Sequence, residues 1–193
     1  MAERVLTMET SIRRLVPGSI LFPAPFYTEY LSKEHYAVSL EPQPDGIRIT
    51  LKREALDPPV SKGFTIELNP PYFQPAEDYG LYLDETLLGL IELHREDWTN
   101  RLRITEFWVR EDRRRLGLGS ELLRFALRRA RELQCRALVL ETQSCNVGAI
   151  DCYRKFGFRF IGLDAIHYSD ADIANHEVRL EMGWVLKEHE NVE

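Results

Sequence analysis

The sequence feature that most constrains the fold is a succession of strand-like and helix-like segments between Ile104 and Phe158. The apolar segment Ile104–Val109 predicts a strand and is followed by a basic turn with two glycines, Arg113–Ser120. The next residues predict a helix over Gly119–Gln134, because leucines and alanines recur at the helical period and arginines cover the other face. A strand that leads through a glycine turn into such a helix predicts a sheet with helices packed against it.

Two further segments complete this unit. The nearly apolar Ala137–Leu140 predicts a central strand that is covered on both sides. Residues from about Asn146 to Phe156 predict a second helix, which Gly157 can end because glycine tolerates a left-handed backbone. Together these elements predict an α/β (α+β) fold with a mixed sheet and helices on its faces.

The chain differs in proline content on the two sides of residue 75. All ten prolines lie between Pro17 and Pro75, where Pro-containing breaks favour turns and edge segments. We therefore expect residues 1–75 to be an N-terminal elaboration whose structure the sequence does not specify, and residues 76–193 to be the core domain. The other predicted strands, in chain order, are Gly46–Leu51, Phe64–Leu68, Tyr79–Leu83, Leu87–His94, Arg101–Arg110, Phe158–Ile166 and Glu177–Leu186.

The strand before the basic turn loses its alternation near its end. Apolar residues alternate through Leu102 and Ile104, but the pattern fails over Glu106–Val109. A strand end that is fully buried would explain this failure. A β-bulge would explain it as well, and bulges are common beside active sites because they re-aim neighbouring groups.

The net charge, the hydropathy and the cysteine pattern argue against several classes of protein. The net charge of -6 argues against a general nucleic-acid-binding protein. No segment approaches the roughly 18 apolar residues of a membrane helix, and the start of the chain lacks a signal-peptide pattern. The three cysteines, without a C-x-x-C pair, favour reduced thiols in the cytoplasm, and the histidine spacing predicts no metal site. The oligomeric state stays open, with a homodimer among the possibilities.

The basic turn Arg113–Ser120 has the features of an anion-binding site. A helix N-terminus carries unpaired N–H groups and the positive end of the helix dipole, and glycines let an anion approach the backbone. Seven arginines and one glutamate between Arg113 and Arg131 give a local charge of +6 in a chain of net charge -6. The alternative is that Gly117 and Gly119 only form a tight turn beside a solvated arginine face.

The turn and a later segment resemble the two signatures of the GCN5-related N-acetyltransferase (GNAT) family. The pattern R-x-x-G-x-G over Arg114–Gly119 is similar to the acetyl-CoA signature Q/R-x-x-G-x-G/A. Asn146 followed by CYRKFGF over Cys152–Phe158 resembles the second signature, an Asn and then (F/C)-Y-x-x-x-G-F. The resemblance covers roughly residues 79–186. It implies a mostly antiparallel mixed sheet in which splayed strands open a cleft for coenzyme A.

Within the family, Leu140–Gln143 together with Asn146, Tyr153 and Tyr168-Ser169 is similar to streptothricin acetyltransferases and their relatives. This resemblance implies an enzyme that transfers acetyl from acetyl-CoA directly to a primary amine of a small molecule. Two alternatives stay open. One is acetylation of a protein N-terminus or lysine, and the other is a sensor that binds acetyl-CoA without turnover.

The implied reaction makes three chemical demands. A carboxylate or a water chain must accept a proton, because a neutral lysine-like amine costs roughly 4–5 kcal/mol near pH 7. Glu106 is the first candidate and Glu141 the second, although each could instead be a strand carboxylate paired with arginine. For the oxyanion, the family implies backbone N–H donors at Phe107 and Val109. Tyr153 has the family's position for the acid that protonates the leaving thiolate, with aromatic packing as the alternative.

The resemblance also implies which residues hold acetyl-CoA. The turn would surround the pyrophosphate with N–H groups, and Asn146 would either bind the pantetheine arm or only cap its helix. The predicted cofactor-binding residues are Phe107, Trp108, Val109, Arg114, Arg115, Leu116, Gly117, Leu118, Gly119, Ser120 and Asn146.

The acceptor amine would enter from the side opposite coenzyme A. The candidate substrate-binding residues there are Glu141, Asp164, His167 and Tyr168. Ordinary loop polarity is the alternative for the three that lie in or after a late strand.

Overall fold

The computed structural model describes residues 9–186, which form a seven-stranded sheet and a separate two-stranded hairpin. Within these residues the strands are β1 (Thr10–Leu15), β2 (Phe26–Gln43), β3 (Gly46–Ile66), β4 (Ala76–Leu83), β5 (Thr86–Glu96), β6 (Arg101–Val109), β7 (Ala137–Gln143), β8 (Arg159–Asp164) and β9 (Arg179–Val185). The large sheet has the order β1-β4-β5-β6-β7-β9-β8. Only its β6–β7 pair is parallel among the described strands, so the predicted mixed, mostly antiparallel sheet is confirmed.

Two helices follow the predicted pattern. Helix α1 (Leu118–Glu132) connects β6 to β7, and helix α2 (Val147–Phe156) connects β7 to β8. Helix α1 ends two residues before the predicted Gln134, which has a left-handed backbone with φ of 54°. Over residues 9–186, no helix is both long and apolar enough to cross a membrane.

The apolar face of α1 lies in the core of the large sheet. Leu122, Leu123, Ala126 and Ala130 are fully buried, as their helical spacing predicts. Burying a leucine side chain stabilises a fold by roughly 2–3 kcal/mol, so this face fixes α1 on the sheet. Because α1 begins at the basic turn, the same packing fixes the position of that turn.

A β-bulge interrupts β6 in front of Glu106. The antiparallel register with β5 pairs Glu92 with Glu106 but Leu93 with Ile104, so Thr105 is the extra residue on β6. Residues 105–109 are only partly buried. The bulge, rather than a fully buried strand end, therefore explains the broken alternation.

The hairpin corrects the prediction for the proline-rich part of the chain. The predicted strand Gly46–Leu51 and the first three residues of the predicted strand Phe64–Leu68 belong to one 21-residue strand, β3, which ends at Ile66 and pairs with β2. The register of this pair shifts between Ser32 and Glu34, where the DPP segment lies opposite in β3. The prolines are thus accommodated at an irregularity of a two-stranded ribbon, where a missing N–H group costs little.

Residues of the N-terminal third take part in both sheets. Strand β1 pairs with β4 along its whole length, while β2 and β3 form the hairpin. The hairpin contacts the core through apolar side chains, Val38 and Ile66 among them. Polar groups add to these contacts: the Tyr36 N–H donates to the Ser144 carbonyl oxygen (2.9 Å), and Lys62 pairs with Glu177 (2.6 Å). The division of the chain at residue 75 stays a prediction.

Candidate active site

The site begins where β6 and β7 separate. Their parallel pairing covers Arg101–Ile104 and Ala137–Leu140, while the strands continue to Val109 and Gln143. On its other side β6 stays paired with β5 through Val109. A wedge therefore opens beside the last residues of β6. Backbone groups along such a wedge lack strand partners, so an elongated ligand can hydrogen-bond to them.

The basic turn lies at the open end of β6. Gly117 precedes α1 with a left-handed φ of 88°, a conformation that glycine adopts without strain, and Arg115 has φ of 65°. No side chain among residues 9–186 caps the first turn of this 15-residue helix, so its first N–H groups are available to a ligand. The Arg114 Nε donates to the Val109 carbonyl oxygen (3.2 Å), which ties the turn to the strand end.

Gly119 separates the two interpretations of this turn. A Cβ at this position would lie 3.5 Å from Cζ of Phe107, which is an ordinary contact. Packing therefore does not require a glycine at this position, and glycine in a helix normally destabilises it. This observation favours the approach of a ligand to the backbone over a purely structural role. An anionic group such as a pyrophosphate fits the turn.

Tyr153 of α2 lies between aromatic rings at the wedge. Its ring centroid is 5.8 Å from that of Phe107 and 6.0 Å from that of Phe158. Burial raises the pKa of the Tyr153 phenol above its ordinary value, and the nearby Glu141 and Glu106 add to the rise. The phenol therefore stays protonated at neutral pH and can act as a proton donor. The packing role is present as well, and the two roles are compatible.

Glu106 follows the bulge, and its carboxyl group is partly buried. Burial, with the nearby charges of Glu92 and Glu141, raises the pKa of Glu106 to about 8. A carboxyl group with this pKa is mostly protonated at neutral pH, and its ionised form, which predominates above about pH 8, is a stronger base than an ordinary carboxylate and can take a proton from an ammonium group. The bulge at Thr105 determines where this side chain points, since it shifts the register by one residue.

Glu141 of β7 has partners of its own. It accepts a hydrogen bond from the Tyr168 hydroxyl (2.8 Å), and its carboxylate is 3.5 Å from Nε of Arg179. The interpretation of Glu141 as a strand carboxylate paired with arginine is therefore correct in the structure. Its proximity to Glu106 and Tyr153 nevertheless places a further negative charge at the site.

The two remaining candidates on the substrate side cluster around Arg179. The imidazole of His167 is 3.7 Å from the Asp164 carboxylate, and Arg179 is 2.9 Å from Nε2 of His167. The His167 and Tyr168 rings meet edge to face with centroids 4.7 Å apart. Tyr168 thereby links this cluster to Glu141, whereas Asp164 and His167 lie one contact further from Glu106.

The hairpin contributes a residue that the sequence did not indicate. The Tyr30 hydroxyl donates to Oε1 of Gln143 (2.6 Å) and is 3.4 Å from the Cys145 sulfur. Burial is the main reason why the pKa of Tyr30 lies above its usual range, and Tyr168 is among the nearby groups that add to it. The residue types Phe26, Tyr27, Thr28 and Tyr30, which are enriched in strands, are the signal that could have identified a strand here. The function of this strand depends on tertiary contacts.

A groove of about 600 Å³ lies between the start of β2 and the end of β6. Its lining includes Trp108 and Phe26, whose ring centroids are 5.0 Å apart in an edge-to-face contact. Acidic groups, Glu29 and Glu111 among them, also line it. The side chain of Trp108 thus faces this groove, while its neighbour Phe107 contacts Tyr153.

Asn146 caps α2. Its side-chain oxygen accepts a hydrogen bond from the Ala149 N–H (3.4 Å), and Gly157 ends the helix with a positive φ of 120°. The capping interpretation of Asn146 is therefore correct, and a contact with the pantetheine arm stays a prediction. The cap holds the start of α2 beside the end of β7 and so helps to place Tyr153.

Sequence relatives agree with this geometry. Residues 49–158, more than half of the chain, match the model of the acetyltransferase (GNAT) family. A streptothricin acetyltransferase of Escherichia coli is 32% identical over 106 residues, which are 55% of this chain and 60% of that protein. Streptothricin acetyltransferase A of Bacillus subtilis is 31% identical over 120 residues, 54% of this chain and 69% of that protein. These matches thus leave about a third or more of each relative unaligned.

Two solved structures resemble the chain over nearly its full length. A nourseothricin acetyltransferase superposes with a TM-score of 0.73 and 26% identity, covering 92% of this chain and 99% of that chain. A Bacillus anthracis protein described as a streptothricin acetyltransferase, crystallised with acetyl coenzyme A, has a TM-score of 0.73 and 25% identity, covering 93% and 99%. The mixed sheet, the wedge and the turn at α1 are those of the GNAT fold. The chain therefore belongs to the GNAT family of acetyltransferases.

Proposed function

We propose that the protein transfers the acetyl group of acetyl-CoA to a primary amine of a small cationic molecule. The observation that carries this proposal is that Tyr153 packs against Phe107, the residue next to Glu106, at the wedge between β6 and β7. One group has the proton affinity of a base and the other that of an acid, and both are partly or fully buried. The relatives named as streptothricin acetyltransferases support the choice of a small amine.

The turn at α1 would hold the cosubstrate. When bound, acetyl-CoA supplies the acetyl group as a thioester. The unpaired N–H groups at the start of α1 would bind the pyrophosphate, with help from the positive end of the helix dipole. The residues assigned to this contact are Arg114, Arg115, Leu116, Gly117, Leu118, Gly119 and Ser120. Asn146 would reach the pantetheine arm from the start of α2.

The residues of β6 would serve the acceptor amine and the oxyanion. Glu106 accepts the proton that the ammonium group must lose, either directly or through one water molecule. Backbone N–H groups at Phe107 and Val109 donate to the oxyanion, and one such donor is worth roughly 3 kcal/mol of transition-state stabilisation. The side chain of Val109 could then change with little effect on the chemistry, whereas that of Phe107 also packs against Tyr153.

Tyr153 would donate its proton to the departing thiolate. Burial keeps this phenol protonated until the leaving group needs the proton. Its place between Phe107 and Phe158 holds the ring in one orientation, which reduces the entropy lost on reaching the transition state.

The acceptor side would suit a cation. Glu106 and Glu141 present carboxyl groups at the wedge, and the groove beside Trp108 contains Glu29 and Glu111. Trp108 and Phe26 could stack against a ring or a hydrocarbon part of the acceptor. Glu141 and Tyr168 would contact the same molecule, while Asp164 and His167 orient them through Arg179.

The test is release of free coenzyme A from acetyl-CoA with a panel of amines. The panel contains streptothricin, aminoglycosides, polyamines and lysine peptides, and binding of coenzyme A is measured separately by calorimetry. We expect release with at least one small cationic amine and none with the peptides. Binding without release for every amine would instead indicate a sensor, and the absence of binding would refute the proposal.

We also propose a homodimer and a cytoplasmic location. The hairpin has a continuous apolar stripe on one face: Val38 and Leu51 pack in the core, whereas Leu40, Ile47 and Ile49 continue the stripe into solvent. A second copy of the chain could cover these exposed side chains. Three free cysteines fit a reducing compartment. Sedimentation of the wild type and of Ile47→Lys tests the dimer, because the charged side chain should shift it to the monomer.

A further inference from the structure

Three carboxyl groups lie in one row across the large sheet. Asp78 of β4 is directly opposite Glu92 of β5, and Glu92 is directly opposite Glu106 of β6. Side chains of residues that face each other across antiparallel strands point to the same face, with Cβ atoms roughly 5 Å apart. Like charges so placed repel each other, so the row cannot hold three full negative charges without compensation.

The middle carboxyl group has the surroundings of an anion. Glu92 is fully buried, and each of its oxygens accepts a hydrogen bond. The Thr105 hydroxyl donates to Oε1 (2.6 Å), and the Asn69 N–H donates to Oε2. Two donors favour the ionised form of a buried carboxyl group. Thr105 is also the bulge residue, so the bulge that re-aims Glu106 supplies one of these donors.

The outer carboxyl group has the surroundings of an acid. Asp78 is only 2% exposed, and its Oδ1 is buried without a hydrogen-bond partner among residues 9–186. Burial and the adjacent Glu92 raise the pKa of Asp78 to about 7, and the positive charge of Arg14 opposes this rise. A protonated Asp78 can donate to Glu92, which would satisfy both groups.

We propose that Asp78 and Glu92 share one proton as an acid–carboxylate pair, and that the single negative charge of this pair increases the proton affinity of Glu106. Glu92 is then a positioning residue that acts through Glu106 and does not touch the acceptor. This inference rests on the proposed function, since it assigns Glu106 the proton of the amine. In the transfer, an N–H bond of the ammonium group breaks and an O–H bond forms on Glu106, while the proton of the pair stays on it.

The titratable groups near Glu106 come from three elements. Glu92 lies on β5, Glu141 on β7, and the Tyr153 hydroxyl on α2. Glu141 has its own hydrogen bond from Tyr168 and lies near Arg179, so its charge is partly compensated. Glu92 has no cation within 4.0 Å among the described residues, and its charge therefore acts on Glu106 with less compensation.

The alternative is that the hydrogen bonds of the buried carboxyl groups Asp78 and Glu92 only stabilise the sheet and have no effect on Glu106. Both interpretations predict that changes in the row destabilise the fold, because a buried polar group left without a partner costs free energy. They differ in the ionisation of Glu106. A structural row leaves it unchanged, whereas a charged pair controls it.

The experiment compares the pH dependence of kcat/KM in the wild type and in Glu92→Gln. The variant removes a negative charge beside Glu106 and so lowers the pKa of this carboxyl group. The acidic limb of the kcat/KM profile should therefore move to lower pH by about one unit, the usual size of such an effect. Asp78→Asn keeps an N–H donor to Glu92 and should leave the limb in place. Glu132→Gln, an exposed carboxylate of α1, is the matched control and should also leave it unmoved.

Two further measurements keep each outcome decisive. Glu92→Leu removes the same negative charge, so it should shift the acidic limb in the same direction if Glu92→Gln does not fold. Carbon-13 NMR titration of the Glu106 carboxyl, assigned by its loss in Glu106→Gln, gives the same comparison without turnover. An unshifted Glu106 titration in Glu92→Gln overturns the inference. A wild type that is inactive towards every amine overturns the proposed function alone.

Discussion

The large sheet and the β2–β3 hairpin contribute to the candidate site in different ways. The sheet carries Glu106, and with α2 it fixes Tyr153 through buried apolar contacts such as those of Leu102 and Leu140. The hairpin carries Tyr30 and contacts the core through apolar side chains such as Val38 and Ile66 as well as through the Lys62–Glu177 ion pair. Each hairpin strand is paired on one side only, whereas the inner strands of the large sheet, β6 among them, are paired on both sides.

This difference suggests a division of labour in which the sheet carries out the chemistry and the hairpin recognises the acceptor. Chemistry needs groups held within fractions of an ångström, and the sheet provides that rigidity. Recognition of an acceptor tolerates more movement, and a two-stranded hairpin outside the large sheet can change without disturbing the chemistry. We therefore expect substitutions in the sheet to change kcat and substitutions in the hairpin to change KM for the amine.

The largest expected effect is that of Glu106→Gln. Loss of a general base lowers rates by roughly 10²–10⁴-fold, and we expect kcat/KM for the amine to fall within this range. Calorimetric affinity for coenzyme A should not change, because the turn at α1 is untouched. Glu85→Gln, an exposed carboxylate at the β4–β5 turn, is the control. Retention of more than half of the activity in Glu106→Gln would remove this residue from the chemistry.

Tyr153→Phe should have the next largest effect. The ring and its contacts with Phe107 and Phe158 stay, so the loss reports on the hydroxyl alone. We expect kcat to fall by roughly 100-fold with KM for the amine unchanged, as for a lost general acid. Tyr79→Phe, on the far side of β6 in β4, serves as the comparison. If kcat is unchanged, the role of Tyr153 is packing only.

Tyr30→Phe tests the hairpin side. It removes the hydrogen bond to Gln143, and a net hydrogen bond is worth roughly 1 kcal/mol, which corresponds to about fivefold in an equilibrium constant. We expect KM for the amine to rise by about this factor while kcat stays constant, as measured by initial rates at several amine concentrations. Tyr72→Phe, an exposed tyrosine outside the hairpin and the groove, should change neither value. A drop in kcat without a change in KM would contradict the division of labour.

Lys62→Met should have the smallest effect. It removes the partly buried ion pair with Glu177, and pairs of this kind contribute roughly 1 kcal/mol or less to stability. We expect a decrease of that size in the free energy of unfolding, measured in urea, and at most a small rise in KM for the amine. A large loss of stability would show that the hairpin is part of the rigid core.

Much of the large sheet and its helices could be predicted from the sequence, because the residue patterns that indicate these elements are local. The helical period of α1, the apolar run of β7 and the turn at Asp84-Glu85 depend on residues close together in the chain. Their predicted positions are confirmed within a few residues. The proline-rich hairpin was predicted only in part, since a bulge can absorb prolines that otherwise indicate a break.

The sequence by itself determined which elements carry the basic turn, Glu106 and Tyr153, because periodicity and short motifs are written in neighbouring residues. Only the tertiary structure decided that Asp78, Glu92 and Glu106 share one row and that Tyr30 meets Gln143. Such juxtapositions depend on the register between strands distant in sequence, and a shift by one residue would turn every side chain to the other face. The bulge at Thr105 sets that register for Glu106, and it becomes visible only when β5 and β6 are paired.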